Sequence, residues 1–132
     1  MAFAAWTGKR LPTEDEWEAA ARTANGHVYP WGNEWEKNAS NMEESNVSDT
    51  TPVDKFKAFQ NDFGIVDTIG NVFEWTLDKS ESNSSDESDS HFDFYTVKGG
   101  SWMSGKEIGL FHRFRFTADS RSNVLGFRCV AY

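Results

Sequence analysis

The sequence predicts a single α+β domain on three observations. A helix is written into the first quarter with its own start signal, the later part holds only short apolar segments of β type, and no strand-helix-strand repeat links them. A length of 132 residues suits one domain, spanning 1–132. The 11 Phe, 6 Trp and 3 Tyr argue for a core built on rings, against the disorder that a mean hydropathy of -0.65 would suggest.

Met1 to Trp6 reads as the tail of a helix ended at Gly8. Leu11 to Arg22 reads as a capped helix: Thr13 caps the first amides, Glu16 reaches back to the Thr13 amide, and Glu14, Asp15 and Glu16 suit the positive end of the macrodipole. Trp17, Ala20 and Ala21 share one face and are expected to pack inward, with Asn25-Gly26 as the stop. Asn33 to Thr51 is a long polar loop, of the kind that is functional or tied down. Asp78 to His91, with six serines and five acids, is expected to be mobile and solvated, calcium binding by its oxygens being the alternative. Asn71–Thr76, Tyr95–Trp102, His112–Phe116 and Leu125–Tyr132 read as strands. In the last, Leu125, Phe127, Cys129 and Ala131 alternate with Gly126, Arg128, Val130 and Tyr132, a half-buried strand pattern that turns Cys129 toward a core. Three sequons, at Asn38, Asn46 and Asn83, follow from a chain rich in Asn and Ser and are set aside for want of a signal peptide.

The formal net charge of -8 argues against nonspecific nucleic-acid binding and against anionic membrane surfaces. Charge is uneven: Met1 to Val97 carries 7 Lys/Arg against 19 Asp/Glu, and Lys98 to Tyr132 carries 6 against 2. The late arginines therefore either pair with carboxylates elsewhere in the fold or form an anion-binding patch. The longest apolar run, Met1 to Trp6, is far short of a membrane span and lacks the charged start of a signal peptide, so a soluble protein with no visible address is expected. One cysteine, Cys129, excludes an internal disulfide and a Cys-x-x-Cys site, and His27, His91 and His112 lack metal spacing.

Five ordered segments carry a resemblance: Gly8-Lys9-Arg10-Leu11-Pro12-Thr13-Glu14 running on to Arg22, Tyr29-Pro30-Trp31-Gly32-Asn33, Gly64 to Thr76 with Gly70-Asn71-Val72 and Glu74-Trp75-Thr76, Gly99-Gly100-Ser101-Trp102, and Leu125-Gly126-Phe127-Arg128-Cys129. From about Ala4 to the last residue the chain resembles the formylglycine-generating enzyme, or sulfatase-modifying factor, superfamily. The likeness implies that superfamily's variant of the C-type-lectin-like fold, with short irregular antiparallel strands and two N-terminal helices. Relatives usually carry further strands before the helix that ends near Trp6, so the chain is expected to be an N-terminally short version, or one whose missing strands a partner supplies. Strand edges left exposed that way would favour a homo-oligomer.

The resemblance also says what catalysis needs. Formylglycine-generating enzymes bind copper through two cysteines, and the matching positions here fall on Ser104 and about Phe111. Copper(I) takes soft thiolates, which a hydroxyl cannot replace, so no copper and no oxidase activity are expected. Calcium is expected instead at the Gly70-Asn71 turn, through the Asp67 and Glu74 carboxylates and the Gly70 and Val72 carbonyls; a plain turn with Glu74 on solvent or on an arginine is the alternative. A second calcium site implied by the likeness would use Asn41, the Met42 carbonyl and Asn46. The relatives' substrate groove maps to Ser101, Trp102, Ser104, Arg113 and Arg115, whose arginine forks beside a tryptophan suit a peptide-like or small anionic ligand. The alternative for Arg113 and Arg115 is neutralising buried acids. The leading expectation is a noncatalytic ligand- or protein-binding module. The competing expectations are an accessory substrate-binding half of an ergothioneine-type sulfoxide synthase and a retroelement-diversified displayed recognition protein.

Overall fold

The computed structural model describes residues 1–81 and 91–132. The expectations placed on 82–90, namely a mobile solvated run, its alternative as a calcium loop and the sequon at Asn83, lie outside them. The two early helices form as expected. Helix α1, Ala2–Trp6, ends ahead of Gly8, which takes the left-handed φ of 71°. Helix α2, Glu14–Arg22, opens on a full capping box, Thr13 accepting from the Glu16 amide and Glu16 from the Thr13 amide. Trp17 and Ala21 are buried, and Ala20 is half-buried.

Strands β1 (Phe73–Lys79), β2 (Phe94–Lys98), β3 (Arg113–Thr117) and β4 (Leu125–Gly126) make one sheet in the order β3-β2-β1-β4. The β1–β2 and β2–β3 pairs are antiparallel; β4 runs parallel to β1. The fold is therefore α+β, as the sequence predicted, but the small sheet is mixed rather than wholly antiparallel, because β4 joins β1 in parallel. Asp78 and Lys79, read as part of the acid and serine run, belong to β1, and Asp78 accepts from the Glu14 amide at 2.6 Å.

The sheet's two faces are chemically reversed relative to the usual pattern. Toward α2 it turns Glu74, which accepts from Trp17, and Lys98, which pairs with Glu18. The opposite face carries Phe73, Trp75, Phe114 and Phe116 in edge-to-face contact. The main apolar cluster, Trp17, Ala21, Met42, Ile69 and Leu110, sits between α2 and the loops, with Tyr29, Trp31, Trp35 and Ile108 packed against it.

The expected strand from Leu125 to Tyr132 is corrected. Only Leu125–Gly126 pairs with β1, followed by an isolated bridge between Arg10 and Val130. Phe127 faces out, Arg128 turns in, and Cys129 is a half-buried free thiol rather than a core residue. The buried Glu74 supplies the reason: a carboxylate taken from water needs a charge partner, and Arg128 can reach it only if it takes the inner side. Among the described residues no helix is long and apolar enough to cross a membrane.

Candidate functional site

The segment from Val66 to Glu74 is where most of the expected site residues meet, and its backbone explains how. Gly70 takes φ 76° and Asn71 φ 65°, which swings the chain under the loop that contains Asn41. The Gly70 amide donates to the Gly99 carbonyl at 2.8 Å, the Asn71 amide to the Asn41 carbonyl at 2.8 Å, and the Trp102 amide to the Asn71 carbonyl at 2.9 Å. The Asn71 Oδ1 accepts from the Thr51 amide at 3.0 Å. One turn thus binds the long polar loop to the Gly99-Gly100-Ser101-Trp102 segment.

Beside this turn lies a buried ionic group. Arg128 grips Glu74 with both arms, Nε on Oε2 at 2.7 Å and a terminal nitrogen on Oε1 at 2.6 Å, and Trp17 Nε1 donates to Oε2 at 2.6 Å. The same guanidinium donates to the Val66 and Asp67 carbonyls. For Glu74 the structure shows the arginine partner that was set against calcium. Asp67 differs: both of its carboxylate oxygens are buried with no hydrogen-bond partner. Desolvation raises its carboxyl from 3.8 to about 6, against the pull of Arg128, with Glu74 adding a smaller push in the same direction. Val72 packs toward Gly126 on β4.

The second expected calcium site is closed by the protein itself. Asn41 is fully buried, and its amide nitrogen donates to the Asp49 carbonyl at 2.8 Å, with longer bonds to Thr51 and Asn71 at 3.3 Å. The two oxygens meant for the ion, Asn41 Oδ1 and the Met42 carbonyl, both face the Ser45 hydroxyl, at 3.3 and 2.8 Å. Asn46 follows in the left-handed region at φ 55° and reaches back to the Glu44 carbonyl. Asn41 and Met42 do not fit a cation in this arrangement, because a hydroxyl occupies the point on which their oxygens converge. Among the described residues no three His, Cys, Asp or Glu side chains are grouped to hold a metal.

The expected ligand residues divide into two groups. Ser101, Trp102 and Ser104 form one tight turn: the Ser101 amide donates to Ser104 Oγ at 2.9 Å, the Met103 amide to Ser101 Oγ at 3.1 Å, and Trp102 Nε1 to the Asn123 carbonyl at 3.2 Å. Trp102 and Met103 line an open cleft with Glu43, Asn46 and Ser48 from the polar loop. Arg113 instead binds Glu14 Oε1 at 2.8 Å at the start of α2, and the Arg115 guanidinium lies 4.2 Å from the centre of the Phe94 ring. Arg113 thus has the buried-acid partner that was set against ligand binding, Glu14, while most of its own side chain stays exposed.

Lys98 was not singled out from the sequence. It is fully buried, 3.1 Å from Glu18, 3.7 Å from Glu14 and 5.7 Å from the centre of the Trp17 ring. A lysine closing an apolar strand just before Gly99-Gly100 was the available signal. With Arg113 and Arg128 it makes the basic end of the chain a supplier of partners for buried acids.

The profile of the Sulfatase-modifying factor enzyme 1-like domain matches residues 1–132. The chain belongs to this family. The protein named Inactive C-alpha-formylglycine-generating enzyme 2 of Bos taurus is 40% identical over 98% of this chain and 46% of its own length. Formylglycine-generating enzyme of Mus musculus is 34% identical over 99% of this chain and 41% of its own. A Chlamydia caviae protein named Serine/threonine-protein kinase pkn1 is 34% identical over 97% of this chain but only 22% of its own length. The chain therefore spans less than half the length of these relatives. Among solved structures, Treponema denticola variable protein 1 aligns with a TM-score of 0.75 at 27% identity over 90% of this chain and 46% of its own. CarF aligns at 0.73 and 27%, over 92% and 46%.

Ser104 and Phe111, at and about the positions that the resemblance matches to the copper cysteines, lie in different settings. Ser104 is held inside the Ser101–Ser104 turn. Phe111 is half-exposed, stacks on His112 at 4.4 Å and lies under the Arg22 guanidinium at 5.8 Å. Neither brings sulfur, and Cys129 lies beyond β4 on the segment whose Arg128 grips Glu74.

Proposed function

We propose that this chain is a noncatalytic binding module of the sulfatase-modifying factor family. One observation carries the reading: the two positions matched to the copper cysteines hold Ser104 and Phe111, and Cys129 is the chain's one thiol. The 40% identity to a relative named as inactive supports it, as does the match to only 22% of the length of a chlamydial protein named as a kinase. The binding surface in this reading is the cleft of Trp102, Met103, Glu43, Asn46 and Ser48, with a peptide-like or small polar ligand stacked on the half-buried indole. Incubated with copper and a cysteine peptide of sulfatase type, the protein should yield no formylglycine and take up no copper(I). Turnover, or tight copper(I) uptake, overturns the reading.

Calcium enters the same proposal through Asp67. Its orphaned, buried carboxylate is the anionic oxygen such a site needs, the Gly70 and Val72 carbonyls being the further ligands this reading adds, and Glu74 in this version holds Arg128 against the turn. Bound there, calcium would tie the turn that joins the two loops. It should raise the melting temperature by mass action, and Asp67→Asn should abolish that gain; no shift at millimolar calcium removes the site.

A second reading, a displayed recognition protein with a variable surface, is favoured by the likeness to Treponema denticola variable protein 1. It requires that close copies of this sequence differ mainly between Met103 and Asn123.

A further inference from the structure

The cleft beside Trp102 has a chemistry that its ligand must match. Its lining of Glu43, Asn46, Ser48, Trp102 and Met103 holds one acid and no base. Backbone bonds bring the acid and the ring to the same turn: the Glu43 amide donates to the Ser104 carbonyl at 3.0 Å, and the Trp102 amide to the Asn71 carbonyl at 2.9 Å. Trp102 Nε1 is already engaged by the Asn123 carbonyl, so the indole offers the cleft its ring and no donor. Among the described residues the Glu43 carboxylate has no ion pair or hydrogen bond, whereas its neighbour Glu44 accepts from Trp35 Nε1 at 2.9 Å. Asn46 turns its amide nitrogen to the Glu44 carbonyl at 3.5 Å, which leaves its Oδ1, and Ser48 adds a hydroxyl. Both take left-handed backbone, φ 55° and 61°, which for a serine is a cost that clusters at ligand sites. A carboxylate, two neutral oxygens and an aromatic ring together make a receptor for a cation.

We propose that this cleft takes a primary alkylammonium group, carried by a lysine of a partner peptide or by a small free amine. The proposal rests on the binding-module reading and names its ligand class. Charge decides against an anion. The loop from Asn33 to Asp49 carries five acids and one Lys, in a chain of net charge -8. Three bases of the chain's later part that could have drawn an anion are turned to acids elsewhere: Lys98 to Glu18, Arg113 to Glu14 and Arg128 to Glu74. Size decides for a single group. The cleft encloses about 260 Å³, below the roughly 300–1,000 Å³ of sites that enclose a drug-sized ligand, which suits one charged head and its stem. An ammonium brings three donors to Glu43, Asn46 and Ser48, while its methylenes lie on Trp102 and the Met103 thioether.

Nuclear magnetic resonance titration of the nitrogen-labelled chain tests this, with Nα-acetyl-lysine methylamide and n-butylammonium chloride as probes. The Trp102 indole resonance and the Glu43 and Met103 amides should move, and acetylating the probe's Nζ should abolish the shifts. A preference for the lysine probe assigns a peptide source, and a preference for n-butylammonium a free amine. Glu43→Gln should weaken binding about 10-fold, as loss of a charge-assisted hydrogen bond does. Glu36→Gln makes the same change in net charge at another exposed acid of the loop and should leave binding unchanged. Glu43 is exposed as well, so both variants should keep the melting temperature of the parent. The proposal is overturned if neither probe moves these resonances, if Nα-acetyl-glutamate methylamide binds as well as the lysine probe, if Nα-acetyl-arginine methylamide binds more tightly, or if the two substitutions weaken binding equally. Each of those results leaves the noncatalytic reading standing, since that reading falls with copper(I) uptake or formylglycine formation.

Discussion

Arg128 illustrates how much one side chain can organise when it is the partner of a buried acid. With Glu74 it forms a two-armed ion pair inside the fold, and its remaining hydrogen bonds fix the Val66 and Asp67 carbonyls. Removing it leaves the buried Glu74 carboxylate, among the described residues, with Trp17 as its side-chain partner. Arg128→Met should therefore cost about 3–5 kcal/mol in urea unfolding, and Glu74→Gln in the same chain should restore much of that loss. Asp67, the neighbouring acid, carries the opposite signature. Because its folded carboxyl titrates at about 6 and its ordinary value is 3.8, the folded protein binds the proton more tightly. Its contribution is most favourable below pH 3.8 and is lost as pH rises through about 6. Discounted for solvent screening at a half-buried residue, the change is on the order of 1 kcal/mol. Without calcium, Asp67→Asn should flatten the stability profile across that window; an unchanged slope would assign the titration to another group.

At the scale of elements, α2 was legible in the sequence because its signals are local. Thr13, Glu16 and the acidic first turn lie within four residues of one another, and the capping box forms as expected. The structure adds Arg10, whose two-armed bond to Glu16, together with the Thr13 amide, holds the Glu16 carboxyl down at about 2 from 4.5. A carboxylate with a lowered value contributes stability above 4.5 that is lost as pH falls through about 2. Glu16→Gln keeps the cap but not the ion pair, so this variant should show a shallower acid transition than the parent, while Thr13→Ala should cost about 1 kcal/mol at neutral pH. The last strand was misread for the converse reason. Alternation from Leu125 to Tyr132 suggests that Phe127 and Cys129 face inward, and only knowledge of the distant, buried Glu74 reverses the phase. In the same way Asn41, Met42 and Glu74 were recognised as oxygen-bearing positions, but the sequence could not say that Ser45 and Arg128 would bind those oxygens. Site residues whose partners are far along the chain are visible as positions before they are visible as roles.

For the whole molecule, the consequence is that loops rather than a regular scaffold hold the fold together. Between Arg22 and Phe73 only two three-residue 3-10 turns interrupt irregular chain, yet Ala39, Asn41, Met42 and Ile69 are among its buried residues. The turn at Gly70 is where these loops and the segment after β2 are joined, so the region around it should unfold with the sheet rather than ahead of it. Substitution of Gly70 separates that view from one of independent loops. A Cβ at Gly70 would collide with the Asn41 carbonyl and the Met42 side chain, in addition to the strain of a positive φ, whereas at Gly8, with a similar φ of 71°, nothing lies within 4 Å. Gly8→Ala should cost only the strain, about 1 kcal/mol, and Gly70→Ala about 1–3 kcal/mol more from overpacking. Urea unfolding followed by tryptophan fluorescence and by far-ultraviolet circular dichroism should give one midpoint for each variant, lowered further in Gly70→Ala. If Gly70→Ala instead splits the two signals, the loops that form the candidate site fold as a unit of their own, and the turn is a contact between units rather than the joint of the domain.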